Sequence, residues 1–137
     1  MMKLLKSIFA ISFIITLNSC GSDSKTQLAE IKDNAVEIDL KKTDYTFKVG
    51  EKSYLEMNEH GSVGAMSEVV IGDNTIIGIS GDVFDYDKEQ IELETGGDGG
   101  TRTYSFTALK KGTTTITARD YFRGDLQKEY ILNITVE

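Results

Sequence analysis

From Ala35 onward the chain alternates. Ala35-Val36-Glu37-Ile38-Asp39-Leu40 sets apolar positions against acidic ones, and Tyr45-Thr46-Phe47-Lys48-Val49 repeats with period two. Runs of the same kind follow at 53–57, 66–71, 75–79, 83–86, 91–94, 103–109, 113–118 and 130–136, rich in β-branched and aromatic residues. Glycine, aspartate and asparagine punctuate them, as at Gly72-Asp73-Asn74 and Lys110-Lys111-Gly112. Successive side chains of a strand point to opposite faces, so these runs predict half-buried strands of an all-β antiparallel sandwich. From residue 35 to the end no stretch carries a helical stripe long enough to compete.

The alternation also predicts the core. Tyr104, Phe106 and Ala108 share a face against Thr103, Ser105 and Thr107. Ile116 and Ala118 share another, and so do Tyr130, Leu132, Ile134 and Val136. Burying each large side chain is worth roughly 1.5–3 kcal/mol, so these aromatics and aliphatics are expected to pack inside and not to line a ligand pocket.

The first 34 residues follow a different pattern. A basic start at 1–6 precedes an apolar run at 7–17, and Leu17-Asn18-Ser19-Cys20 comes next. That order describes a secretory signal, too short for a membrane span. The segment resembles a bacterial lipoprotein signal with 17–20 as its lipobox. The resemblance implies cleavage before Cys20, lipidation of that residue and a membrane anchor held by several acyl chains. Gly21 stands where an inner-membrane aspartate would, so an outer-membrane location is expected, facing the periplasm or the cell surface. The chain therefore divides into a signal at 1–19, a lipidated cysteine and polar tether at 20–34 with a short helix at 27–32, and one β domain at 35–137.

Composition then narrows the chemistry. The net charge is −7, and losing Lys3 and Lys6 with the signal deepens it to −9. An acidic chain without a basic run does not suit nucleic acid, which needs clustered cations. Cys20 is the only cysteine and His60 the only histidine, so there is no disulfide, no Cys–His pair and no zinc ligand set. Neither a nucleophile elbow nor a cofactor motif is present, and an enzyme is not expected. Asp82, Asp85, Asp87 and Glu89 could draw a cation, but their spacing fits no calcium loop, and a solvated acidic hairpin is expected. Gly96-Gly97-Asp98-Gly99-Gly100 lacks the Lys-Ser/Thr of a phosphate loop and opens a strand instead of a helix.

What remains is the loops. In an Ig-like sandwich alternate connections gather at one end. Counting from Tyr54, the connections 58–65, 95–101 and 120–127 fall together. Each contains glycine, and the third carries Tyr121, Phe122 and Arg123, residue types favoured at interfaces. Loops on a rigid scaffold commonly carry binding.

These residues resemble the chagasin-type inhibitors of papain-like cysteine peptidases, which are Ig-like sandwiches with three inhibitory loops. Gly97-Asp98-Gly99-Gly100, the aromatic strand at 103–110 and the turn at Gly112 look like the family's GxGG loop, strand and following turn. Tyr54-Leu55-Glu56-Met57-Asn58 leading to Gly61 and Gly64 looks like the first loop, where the family has NPTTGY. Arg119-Asp120-Tyr121-Phe122 looks like the third, where the family has Arg-Pro-aromatic. Glu59 and Asp120 stand at the two proline positions, and the chain has no proline anywhere. The resemblance implies occlusion of a peptidase cleft through Asn58, His60, Gly61, Gly64, Gly97, Asp98, Gly99, Gly100, Arg119, Tyr121, Phe122 and Arg123. In that mechanism the missing side chains of the glycine loop let backbone approach backbone. It implies a monomer whose partner is a cysteine peptidase, from the same cell or a host, with no cofactor. Two alternatives stay open: a lipid-anchored Ig-like adhesion module, and an inhibitor of streptopain-like peptidases.

Overall fold

A computed structural model of the chain describes residues 23–87 and 98–137. The signal, Cys20, Gly97 and the strand expected at 91–94 lie outside the described residues. A helix α1 (Ser24–Asn34) is followed by strands β1 (Val36–Glu37), β2 (Asp44–Phe47), β3 (Lys52–His60), β4 (Ala65–Ile71), β5 (Ile77–Tyr86), β6 (Gly99–Ala108), β7 (Gly112–Phe122) and β8 (Asp125–Val136). One 3₁₀ turn, Gly61–Val63, joins β3 to β4.

The strands form two layers. One reads β2-β8-β7-β4 and the other β1-β3-β6-β5, and among the described residues the strand ladders of the two meet only at His60–Ala65. The expected Ig-like sandwich is the fold observed. Most pairs are antiparallel, but β1 runs parallel to β3 and β2 parallel to β8. The chain places one short strand on each sheet before the meander begins, so these two pairings come from a crossover and not from hairpins.

The core follows the alternation. Leu55 and Met57 of β3, Phe106 and Ala108 of β6, Ile116 and Ala118 of β7, and Leu132, Ile134 and Val136 of β8 are buried between the layers, with Ile77 and Phe47. Tyr104 and Tyr130 pack against this cluster while remaining partly exposed. Thr103 is buried although it faces outward from the sandwich. It lies on β6 between β3 and β5, and its hydroxyl donates to Glu56 Oε1 at 3.4 Å. Helix α1 extends beyond the short helix expected at 27–32 and packs across β3 and β5. Lys32 Nζ meets Glu56 Oε1 at 2.6 Å beneath it. The stretch read as a polar tether is thus docked on the domain from Ser24 on.

The runs expected at 75–79 and 83–86 form one strand, β5, with a bulge at Ser80 where the register shifts between Ile79 and Gly81. A bulge keeps both apolar halves in one strand while bending it.

Candidate functional site

The sandwich ends in a cluster of connections. Strand β3 runs on through Asn58, Glu59 and His60, paired with Thr101, Gly100 and Gly99 of β6. Strands β7 and β8 likewise continue to Phe122 and Asp125, so their connection is only Arg123-Gly124. Both turn residues have positive φ, 52° and 88°, the geometry of a tight two-residue hairpin. The first and third connections are therefore shorter than the 58–65 and 120–127 expected. Polar composition at 119–122 and 125–129 hides strand pairing, because both faces of this projecting ribbon are largely exposed to water.

Three contacts hold the connections together. Ser62 N–H donates to Asp98 Oδ2 at 2.6 Å, joining the 3₁₀ turn to the start of β6. Among the described residues Asp98 Oδ1 is buried without a hydrogen bond, and it faces His60 Nδ1 at 3.0 Å. Arg123 N–H donates to the Gly64 carbonyl at 2.8 Å, joining the hairpin to the end of the same turn. Hydrogen bonding from Ser62 holds the Asp98 carboxyl below its ordinary range, against some loss of hydration and with help from His60. Ser62 Oγ also lies 3.2 Å from Nδ1 of His60. Serine and aspartate thus share one ring nitrogen, and a proton relay through the imidazole has no geometry here.

The glycines have internal reasons. Gly64 has φ +81°, and a Cβ there would sit 3.2 Å from the backbone of Arg123. A Cβ on Gly100 would lie 2.3 Å from the Asp85 carbonyl oxygen, and one on Gly99 2.8 Å from the His60 ring. Gly99 and Gly100 are strand residues whose missing side chains let β5 and His60 close in, whatever else approaches from outside.

Arg119, Tyr121 and Asn58 sit lower. Arg119 is four residues before the hairpin tip, about 13 Å along the strand. Its guanidinium bonds Glu129 at 2.7 Å and Glu68 at 3.1 Å, and Tyr121 Oη donates to the same Glu68 at 3.0 Å. Asn58 Oδ1 accepts from Thr101 Oγ1 at 3.3 Å. At the tip, Arg123 stacks its guanidinium 5.2 Å from the Phe122 ring. Val63, Met66, Phe122 and Leu126 are exposed at this end, so it presents apolar surface to solvent.

Beneath the connections lies a polar group that sequence reasoning missed. Glu59, at a proline position of the resembled motif, points between the layers and is buried. Its carboxylate accepts the Ser67 N–H at 3.1 Å and the Ser67 hydroxyl, and the Arg102 Nε–H lies 3.0 Å from both its oxygens. Arg102 also pairs with Asp82, and Tyr104 Oη lies 2.9 Å from Ser67 Oγ. Four strands are linked by one network. Extending the period of Leu55 and Met57 by two residues would have placed Glu59 inside. Asp82, expected in a solvated acidic hairpin, is the outer member of this network, and Asp85 and Asp87 stay at the end of β5 and just beyond it.

The model of the family described as "Chagasin family peptidase inhibitor I42" matches residues 46–136. Among solved structures, the chain is similar to the cysteine protease inhibitor EhICP2 from Entamoeba histolytica, at 12% identity and TM-score 0.60, over 76% of this chain and 95% of that one. It is also similar to Amebosin, at 14% identity and TM-score 0.53, over 75% and 98%. A third likeness is to PbICP-C, solved in complex with falcipain-2, at 12% identity and TM-score 0.50, over 76% and 92%. No curated protein matches the sequence significantly. At these identities the structures speak for the fold, and the family model carries the assignment: the chain belongs to the chagasin family of peptidase inhibitors and is not an enzyme.

Proposed function

We propose that this chain inhibits papain-like cysteine peptidases by lodging the end of the sandwich at Gly61–Val63, Asp98 and Phe122-Arg123-Gly124 in the peptidase cleft. The observation that carries the reading is the joining of three connections by Ser62–Asp98 and Gly64–Arg123 in a chain of this family. A pre-joined end loses little conformational entropy on binding. Val63, Met66, Phe122 and Leu126 supply exposed apolar contact, and Arg123 a cation beside Phe122. His60, Gly61, Gly64, Gly99 and Gly100 shape and hold that end. Arg119, Tyr121 and Asn58 brace the strands behind it.

We place the inhibitor at the cell envelope as a monomer, held by lipid on Cys20 after loss of 1–19. The support is the order of basic, apolar and small residues before the only cysteine.

Titration of papain with the purified chain tests the inhibition. The expected result is reversible, stoichiometric loss of activity with the inhibitor uncleaved. Full activity at micromolar inhibitor, for papain and a panel of its relatives, would sink the reading. A streptopain-like peptidase in the same panel separates the two inhibitor classes. Incorporation of labelled palmitate into the wild type but not into Cys20→Ser tests the anchor.

A further inference from the structure

Beside the loop end the sandwich is open along one flank. Strand β1 covers β3 only at Ser53 and Tyr54, and β2 covers β8 only from Asn133 onward. The edges of β3 at 56–58 and of β8 at 126–130 are therefore uncovered, and a groove of about 350 Å³ runs between them. Its walls are apolar and aromatic, from Leu40, Met57, Phe122 and Tyr130.

Asp120 also lines this groove. It lies on the face of β7 that carries Ile116 and Ala118, and it is half-buried. Among the described residues its carboxylate accepts no hydrogen bond and makes no ion pair. Lys128 stands opposite it in β8, but the Lys128 ammonium rests over the Tyr130 ring, 4.6 Å from the centroid. Glu56 also lines the groove, but its carboxylate is already held by Lys32. Loss of hydration raises the Asp120 carboxyl above its ordinary range, with Lys128 pulling the other way.

We propose that this groove is a binding site for one lysine or arginine side chain of the partner protein, its aliphatic stem between Met57 and Tyr130 and its cation on Asp120. A long basic side chain matches both features, since its methylenes pack on apolar walls while its head seeks a charge. A half-buried carboxylate with no hydrogen bond or ion pair among the described residues, and only Lys128 acting on it from a distance, is costly and gains from a cation that arrives with its own desolvation shared. The groove lies beside Asn58, Ala65 and Phe122, so a protein seated on the loop end reaches it. The identity of that protein as a cysteine peptidase rests on the function proposed above. The groove itself does not, and it selects targets that carry a basic residue at the cleft rim.

The test is a nuclear magnetic resonance titration of the isotopically labelled chain with N-acetyl-lysine methylamide, N-acetyl-arginine methylamide and their uncharged norleucine counterpart. The Asp120 side-chain carbon and the amides of Phe122, Gln127 and Tyr130 are expected to shift saturably with the two cations and not with norleucine. Asp120→Asn is expected to weaken the response about tenfold, the loss of a charge-assisted contact. Lys128→Met, which leaves Asp120 in place, is expected to keep or strengthen it. An equal response to norleucine, no saturable response at millimolar probe, or loss of response in Lys128→Met overturns the groove. Papain inhibition measured on the same samples separates the two claims. Inhibition without a lysine response removes the groove alone, and a lysine response without inhibition removes the proposed target alone.

Discussion

The Asp98 carboxylate receives the backbone N–H of Ser62 at 2.6 Å, and this bond closes the gap between the turn after β3 and the first residues of β6. The two residues are 36 positions apart, so the loop end is a tertiary structure and not three independent loops.

That bond carries a pH dependence. The Asp98 carboxyl titrates below its ordinary value of 3.8, so its contribution to the closed end is complete above that value and is lost as pH falls through the lowered one. The protection factor of the Ser62 amide, its exchange rate relative to the unstructured rate at the same pH, should stay high from neutrality down to mild acid and then fall. Asp98→Asn should remove most of that acid dependence, and an unchanged profile in the variant would exclude Asp98 as its source.

Arg123 occupies a left-handed conformation, φ 52°, that costs a non-glycine residue about 1 kcal/mol. Arg123→Gly should keep or raise the melting temperature while weakening peptidase inhibition. If inhibition survives untouched, the guanidinium over Phe122 is not a contact residue.

Gly100→Ala brings a methyl group within 2.3 Å of the Asp85 carbonyl. The pairing of β5 with β6 must then shift, so the variant should lose stability and not only activity. Denaturant unfolding checks this, and wild-type stability with reduced inhibition would instead make Gly100 a surface contact. Gly99, whose Cβ would meet the movable His60 ring, is the gentler site for probing the cleft contact.

Glu59→Ala would leave the Arg102 guanidinium without its carboxylate, which is 6% exposed. Breaking a buried pair from one side costs about 3–5 kcal/mol, discounted here because Arg102 reaches solvent and keeps Asp82. A loss of about 2 kcal/mol in chemical denaturation is expected. A neutral result would mean water replaces the carboxylate.

How much of this was legible depended on whether a residue's neighbours in sequence or in space decide its place. Phe106, Ala108, Ile116, Leu132 and Ile134 were readable because period two and hydrophobicity agree. Glu59 was not, because its charge argues for water while its register puts it inside with Arg102, 43 residues away. Strand β5 shows in the sequence as two runs because Ser80, Gly81 and Asp82 interrupt the apolar pattern, and in space the interruption is a bulge. At 119–122 the polar residues look like a loop, yet Arg119 is fixed by Glu68 and Glu129 from both neighbouring strands. The meeting of the three connections followed from counting strands, but the bonds that join them, Ser62 to Asp98 and Arg123 to Gly64, could be found only in three dimensions.

The central claim is that the loop end enters a cysteine peptidase's cleft. Calorimetric titration of the chain into papain, free and with its active-site cysteine covalently blocked by a cleft-filling inhibitor, tests it most directly. Tight one-to-one binding to the free enzyme, lost when the cleft is filled, is the predicted result. Equal binding to both forms would contradict it.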